Sequence, residues 1–397
     1  MISEYMMGLG KKRSVIREIF EYGNKRKQEI GSENVFDFSL GNPSVPAPES
    51  VERAIRDILK QEESIVLHGY TSAQGDYKVR ETIANYVNST QNTKVVPEDI
   101  YMTVGAAASL TISIKAITLP GDEFITFTPF FPEYGVFVES AGAKLVTVAS
   151  READFQVDFH RFQEAITPKT KAVIINSPNN PSGVVFSEET IQGICKILKE
   201  KQKEYGHDIY LISDEPYREL VYDDIKVPYL LHYYDNTFVC YSFSKSLSLP
   251  GERIGYIIVS NKMNQAKDVY AAVCGAGRAL GYVCAPSLFQ KVVARCIGQT
   301  ADIFVYKKNR DLLVDALTKF GFHCVKPDGA FYLFVKALEE DANAFCEKAK
   351  KYELLLVPGD DFGCKGYVRI SYCVSTEQIQ RAIPAFEKLA EEYCVKQ

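Results

Sequence analysis

No C-x-x-C pair occurs among the 10 cysteines, and the five histidines form no metal-ligand spacing. That pattern excludes a metal centre and reads as the reduced thiols of a cytoplasmic protein. An apolar run of membrane-spanning length is missing, as is a secretory leader, so the Asn88-Ser89-Thr90 sequon carries no meaning. Positive charge is not in excess either. The formal net charge of -5 removes the electrostatic case for nucleic acid or an anionic membrane as partner. Internal repeats and low-complexity linkers are absent, which excludes a solenoid or a bead-on-string array.

What is present fits a large globular chain. Its 397 residues exceed one ordinary core, so two domains are expected. Short apolar strands are predicted at residues 100–104, 124–127, 145–148, 173–176, 209–213, 238–241 and 254–259. Helix-length segments separate most of them, and that alternation argues for a mainly parallel sheet covered on both faces. Near the start, Ser14 is expected to cap a helix through Lys27, with Val15, Ile16, Ile19 and Phe20 as its apolar stripe; the basic cluster Lys11-Lys12-Arg13 reads as a solvated face. Residues 37–40 read as a short strand, and a long amphipathic stretch is predicted from Pro286 to about Phe320. Beyond it the chain reads as α+β, with strands near Cys324 and at 331–335, 355–357 and 367–372, and helices at 342–352 and 376–393.

Three consecutive strands end in polar, turn-rich tips, and open α/β sheets keep their ligands at such carboxyl ends. The first is followed by Ser177-Pro178-Asn179-Asn180-Pro181-Ser182-Gly183. The second ends at Asp214, in Asp214-Glu215-Pro216-Tyr217, and the third runs into Ser242-Phe243-Ser244-Lys245, with Arg253 eight residues on. Two hydroxyls and a guanidinium can hold a phosphate dianion beside the lysine amine; taken alone, the motif also reads as a surface lysine in a serine-rich loop. Small residues after residue 104, Gly105-Ala106-Ala107-Ala108, let backbone N–H groups at a helix start approach an anion, or are simply an alanine-rich helix start. Arg369 lies inside a predicted strand, where a charge is costly unless paired.

In order and spacing, from about Asp37 to Arg369, these motifs together with Val368-Arg369-Ile370 resemble the fold type I pyridoxal-phosphate enzymes, specifically the class I/II aminotransferases around aspartate aminotransferase. The resemblance implies a large domain with a mainly parallel seven-stranded sheet covered by helices, plus a smaller α+β domain formed from both chain ends. Its expected boundaries are 1–49 for the N-terminal arm and first part of the small domain, 50–287 for the large coenzyme-binding domain, and 288–397 for a hinge helix and C-terminal small domain.

By the same resemblance Lys245 carries the aldehyde of pyridoxal 5′-phosphate and, once freed, moves the substrate Cα proton. Asp214 faces the pyridine nitrogen, Asn180 and Tyr217 the phenolic oxygen, and Phe131 stacks on the ring. Ser242, Ser244, Arg253 and the backbone amides of Ala106 and Ala107 hold the phosphate, with Tyr70 reaching across a homodimer to the partner's phosphate. Arg369 and Asn180 hold the substrate α-carboxylate. Gly41, in Gly41-Asn42-Pro43, belongs to a loop over the substrate, a stretch that reads equally as a domain linker, and the N-terminal arm packs against the partner subunit. Arg278, 25 residues after Arg253, is placed to read a distal carboxylate from the partner subunit. The expected partners are an L-amino acid, aspartate or glutamate among the candidates, and a 2-oxo acid. A carbon–sulfur β-lyase on the same scaffold is the alternative reading.

Overall fold

The structure, a computed structural model, describes residues 2–11 and 14–393; Lys12 and Arg13 of the basic cluster lie outside them. Twelve strands form three sheets: β1 (Phe36–Asp37), β2 (Ile100–Thr103), β3 (Glu123–Thr128), β4 (Lys144–Ala149), β5 (Thr170–Asn176), β6 (Tyr210–Asp214), β7 (Thr237–Ser242), β8 (Gly255–Val259), β9 (Tyr332–Lys336), β10 (Leu354–Leu355), β11 (Val357–Pro358) and β12 (Tyr367–Ser371). The largest has seven strands in the order β2-β8-β7-β6-β5-β3-β4, and only β8 runs against its neighbours. All seven were predicted from apolar runs; six are nearly continuous in burial because helices cover both faces, while the edge strand β4 buries only Val148 fully.

Successive side chains of a strand point to opposite faces, and the core divides accordingly. Phe124, Ile174, Ile212 and Phe238 pack with Leu110 and Val273 of the helices Ala106–Ile117 and Ala266–Leu280. Ile125, Val173, Ile175 and Leu211 pack on the other side with Phe162, Ile194 and Leu198 of the helices Phe159–Ala165 and Glu188–Tyr205. Each such side chain contributes roughly 1.5–3 kcal/mol on burial.

The two chain ends meet in the small sheets. β1 pairs in parallel with β10, and β12 lies between β11 and β9 in an antiparallel sheet. Three expectations are corrected. The predicted strand at 37–40 is only Phe36–Asp37, because β10 offers just two residues to pair with; beyond it Ser39 turns its carbonyl to Arg369. The long stretch after Pro286 is two helices, Ser287–Cys296 and Phe304–Lys319, parted where Gly298 takes φ +81°. Near Cys324 there is a single bridge to Val335 rather than a strand. No helix among the described residues is long and apolar enough to cross a membrane.

One close approach in the large sheet sets the ground for the site. A Cβ on Gly255 would lie 2.3 Å from the carbonyl oxygen of Tyr241 and 3.1 Å from the Gly105 Cα. Glycine here lets β8, β7 and the turn after β2 come together. Gly255→Ala is therefore expected to lower stability by about 1–3 kcal/mol through overpacking, read as a fall in thermal midpoint.

Candidate active site

The carboxyl ends of β5, β6 and β7 open onto one cavity of about 530 Å³. Parallel register brings this about: Asn176 at the end of β5 sits opposite Asp214 at the end of β6, and Asp214 opposite Cys240 of β7, two residues before Ser242. Lys245, Asp214, Tyr217, Asn180, Ser242, Ser244, Arg253, Ala106, Ala107, Phe131, Gly41 and Arg369 all line it. Each of these was expected from the sequence. Tyr70, 98 % exposed, and Arg278, exposed on the helix Ala266–Leu280, do not line the cavity of their own chain.

Lys245 sits in the one-turn helix Phe243–Ser246 that caps β7. Its Nζ donates to the Gly41 carbonyl at 2.8 Å and lies 5.3 Å from the Phe331 ring centre. Burial is the main cause that draws the amine down to about 8; the charges of Arg253 and Arg369 act the same way, against the thiol of Cys373. Asp214 is 4 % exposed, and its Oδ2 accepts from the Tyr134 hydroxyl at 2.5 Å while Oδ1 has no partner. Burial pushes this carboxyl up to about 7, the Tyr134 hydrogen bond opposes the rise, and the charge of Glu215 adds to it.

At the near wall Gly105, with φ +98°, turns the chain from β2 into the helix Ala106–Ile117. The Arg253 guanidinium lies against it, so a Cβ at 105 would stand 2.9 Å from Nη2. Ser242 and Ser244 share a hydrogen bond of 2.7 Å beside them. Helix amides, two hydroxyls and a guanidinium thus converge in a pattern suited to an anion.

At the far wall Arg369 is 2 % exposed in the middle of β12. Its Nη2 donates to the Ser39 carbonyl at 2.6 Å and Nη1 to Asn180 Oδ1 at 3.2 Å, while Nε is buried without a partner. The Tyr332 and Phe362 rings lie 4.8 and 5.0 Å from its guanidinium carbon. Burial lowers its pKa, and none of these partners carries a charge. A buried cation held only by neutral groups is poised for an anion.

Several residues in or next to the cavity wall have no signal in the local sequence. Tyr134 reaches Asp214 from the helix Glu133–Ala141, a contact between segments 80 residues apart that no local pattern marks. Tyr332 joins its hydroxyl to that of Tyr217 at 3.1 Å, and a Cβ on Gly41 would stand within bonding distance of it, at 1.9 Å. Asn176 was legible in principle, as the last residue of a strand in register with Asp214. The helix Val15–Ile30, expected as an arm toward a partner, supplies a wall of its own chain's cavity through Ser14, Ile16, Arg17 and Phe20.

Comparison with known proteins agrees with this geometry. A family profile described as aminotransferase class I and II matches residues 33–386. The chain is 32 % identical to an aspartate aminotransferase of Thermotoga maritima over 360 residues, covering 89 % of this chain and 91 % of the relative. It is 30 % identical to an aspartate/prephenate aminotransferase of Thermus thermophilus, covering 88 % and 90 %. Among solved structures, an amino transferase from Eubacterium rectale superposes with a TM-score of 0.97 at 58 % identity over 99 % of both chains. Aspartate aminotransferase of Thermus thermophilus with maleate gives 0.85 at 28 % identity over 98 % of this chain and 100 % of that one. These relatives are all aminotransferases, which favours transamination over the β-lyase alternative. This chain belongs to the class I and II aminotransferase family.

Proposed function

We propose that the cavity holds pyridoxal 5′-phosphate and that the chain moves the amino group of an L-amino acid, aspartate or glutamate foremost, to a 2-oxo acid. The observation that carries this reading is a pair of buried polar atoms without partners, Asp214 Oδ1 and Arg369 Nε, on two residues that line one cavity together with a desolvated lysine amine. These residues fit the coenzyme. Asp214 Oδ1 is an acceptor without a donor, a side chain at Gly105 would crowd the Arg253 guanidinium that lies against it, and the Lys245 amine is drawn down toward its neutral, nucleophilic form.

Bound there, the coenzyme supplies an aldehyde for the Lys245 amine and an aromatic ring that accepts electrons. The chain's own residues do the rest. Ser242, Ser244, Arg253 and the amides of Ala106 and Ala107 hold the phosphate, and Asp214 as a carboxylate keeps the ring nitrogen protonated. Phe131 fixes the plane of the ring, while Asn180 and Tyr217 hydrogen-bond its phenolic oxygen. Arg369, with Asn180, takes the substrate α-carboxylate as a bidentate fork, which orients Cα toward Nζ. Nζ of Lys245 then takes the Cα proton, and Gly41 supplies the carbonyl that holds this amine in the meantime.

The same reading divides the chain into 1–49, 50–287 and 288–397, with Arg369 in the last part. It makes the active form a cytoplasmic homodimer in which Tyr70 completes the partner's phosphate site. The near-complete exposure of Tyr70 and the exposed Ile65 and Val66 nearby support that assembly, and the nine described cysteines are all free thiols.

The test is a panel of amino donors on coenzyme-loaded protein, followed by absorbance of the coenzyme and by release of the 2-oxo acid. Conversion of at least one donor is expected. Failure of every donor, or pyruvate and ammonia released from cysteine in their place, overturns the reading. Within that panel Arg369→Lys is expected to raise KM by about 10- to 100-fold, because an ammonium cannot reproduce the two-pronged contact with a carboxylate.

A further inference from the structure

We infer that Arg17, on the N-terminal helix, is the residue that selects substrates with a second, distal carboxylate. The assignment rests on the transamination reading above and adds to it which side chain sets the substrate class. Among the described residues, four cationic side chains line the cavity: Arg17, Lys245, Arg253 and Arg369. The proposed chemistry uses Lys245 for the aldehyde, Arg253 for the phosphate and Arg369 for the α-carboxylate. Arg17 is the one it leaves without a task.

The helix Val15–Ile30 holds Arg17 at the cavity from both of its ends. Ser14 caps it, its side chain accepting from the Arg17 backbone N–H, and Ile19 is buried against Val35 and Leu355. Farther along, Arg26 is paired with Glu353 at 2.6 Å and Lys27 with Asp37 at 2.7 Å, so that end of the helix is tied to the sheet of β1 and β10. With Ile19 turned inward, Ser14, Arg17 and Phe20, at intervals of three, share the face turned to the cavity. Arg17 is exposed, and no ion pair of its guanidinium occurs among the described residues.

Glu133 and Asp361 also line the cavity, and neither pairs with Arg17 among the described residues. They disfavour a free anion there, so a distal carboxylate is held only where the Arg17 fork supplies hydrogen bonds. Ile16, Phe20 and Leu40, which also line the cavity, offer apolar contact to the carbons between the two carboxylates. One of the solved relatives was captured with maleate, a dicarboxylate.

The experiment compares coenzyme-loaded wild type, Arg17→Gln and Arg278→Ala in single half-reactions with L-aspartate and L-alanine. A second readout, independent of turnover, measures binding of succinate and propionate to the same proteins by calorimetry. Wild type is expected to prefer aspartate. Arg17→Gln is expected to lower the aspartate-to-alanine ratio of kcat/KM about tenfold, and to weaken succinate about tenfold more than propionate, as loss of one partly exposed charge-assisted contact predicts. An unchanged ratio in Arg17→Gln, or a selective loss in Arg278→Ala alone, overturns the assignment while leaving transamination standing. A wild type that converts neither amino acid, nor any other donor, sinks the transamination reading and Arg17 with it.

Discussion

Lys245→Ala is expected to lower turnover of every amino donor by about 10⁴-fold or more while leaving the thermal midpoint close to that of the cofactor-free wild type. Its amine is asked to do two things at once, to bond the coenzyme and to move the Cα proton, and a positioned proton-transfer group alone contributes about 10² to 10⁴. The stability cost is small because the amine is a burden to the folded chain. Burial draws it from 10.5 down to about 8, so between those values the unfolded chain binds more protons and stability rises with pH. Below about pH 8 the folded protein holds a desolvated ammonium whose hydrogen-bond partner is the Gly41 carbonyl. Removing it lifts that penalty and offsets the lost packing. Borohydride reduction of loaded wild type, followed by peptide mass mapping, should place the coenzyme on Lys245. A label elsewhere, or turnover surviving in Lys245→Ala, would show that the cavity works by other means.

Asp214→Asn carries the second large effect, and it is visible with and without coenzyme. In the cofactor-free protein the carboxyl is raised from 3.8 to about 7, chiefly by burial. A raised folded pKa contributes stability that is complete below about pH 4 and is lost as pH climbs through about 7. At 1.36 kcal/mol per unit the swing is on the order of 4 kcal/mol. Asparagine has no proton to lose, so the variant should decline less steeply than wild type over that window, keeping the part due to Glu219, which burial also raises to about 7. In the loaded enzyme the sign reverses: an N–H donor at Oδ1 stabilises the carboxylate, and removing one partner of a buried charged pair costs about 3–5 kcal/mol, or roughly 10²- to 10³-fold or more in rate. Denaturation midpoints between pH 4 and 8, beside single-turnover rates of the loaded variant, measure both. If the wild-type midpoint falls no more than the variant's through that range, Asp214 is not a desolvated carboxyl, and its pairing with the ring nitrogen loses its support.

Much of the site is legible in residue order. Motif order and spacing point to Lys245, Asp214, Asn180, Arg253 and Arg369 through their resemblance to the aminotransferase family; of these, Asp214 ends and Arg369 interrupts an apolar run, where a polar side chain has to have a purpose. Local spacing does not point to Tyr134, Tyr332 or Arg17. Tyr134 meets Asp214 only because the helix Glu133–Ala141 packs back across the sheet, and Tyr332 meets Tyr217 only because β9 pairs with β12 and carries its ring under Arg369.

The sequence alone determined the chemistry on offer and the class of fold. Apolar runs of strand length alternating with helices leave few ways to bury both faces of a sheet, and parallel pairing then gathers the strand ends on one side. Tertiary structure alone decided the electrostatics. Whether Asp214 is left with a bare oxygen, whether Arg369 is buried among neutral partners, and whether Arg17 stays unpaired at the cavity wall depend on which segments pack against them. Desolvation and hydrogen bonding arise between residues distant in the chain, and residue order does not record those distances.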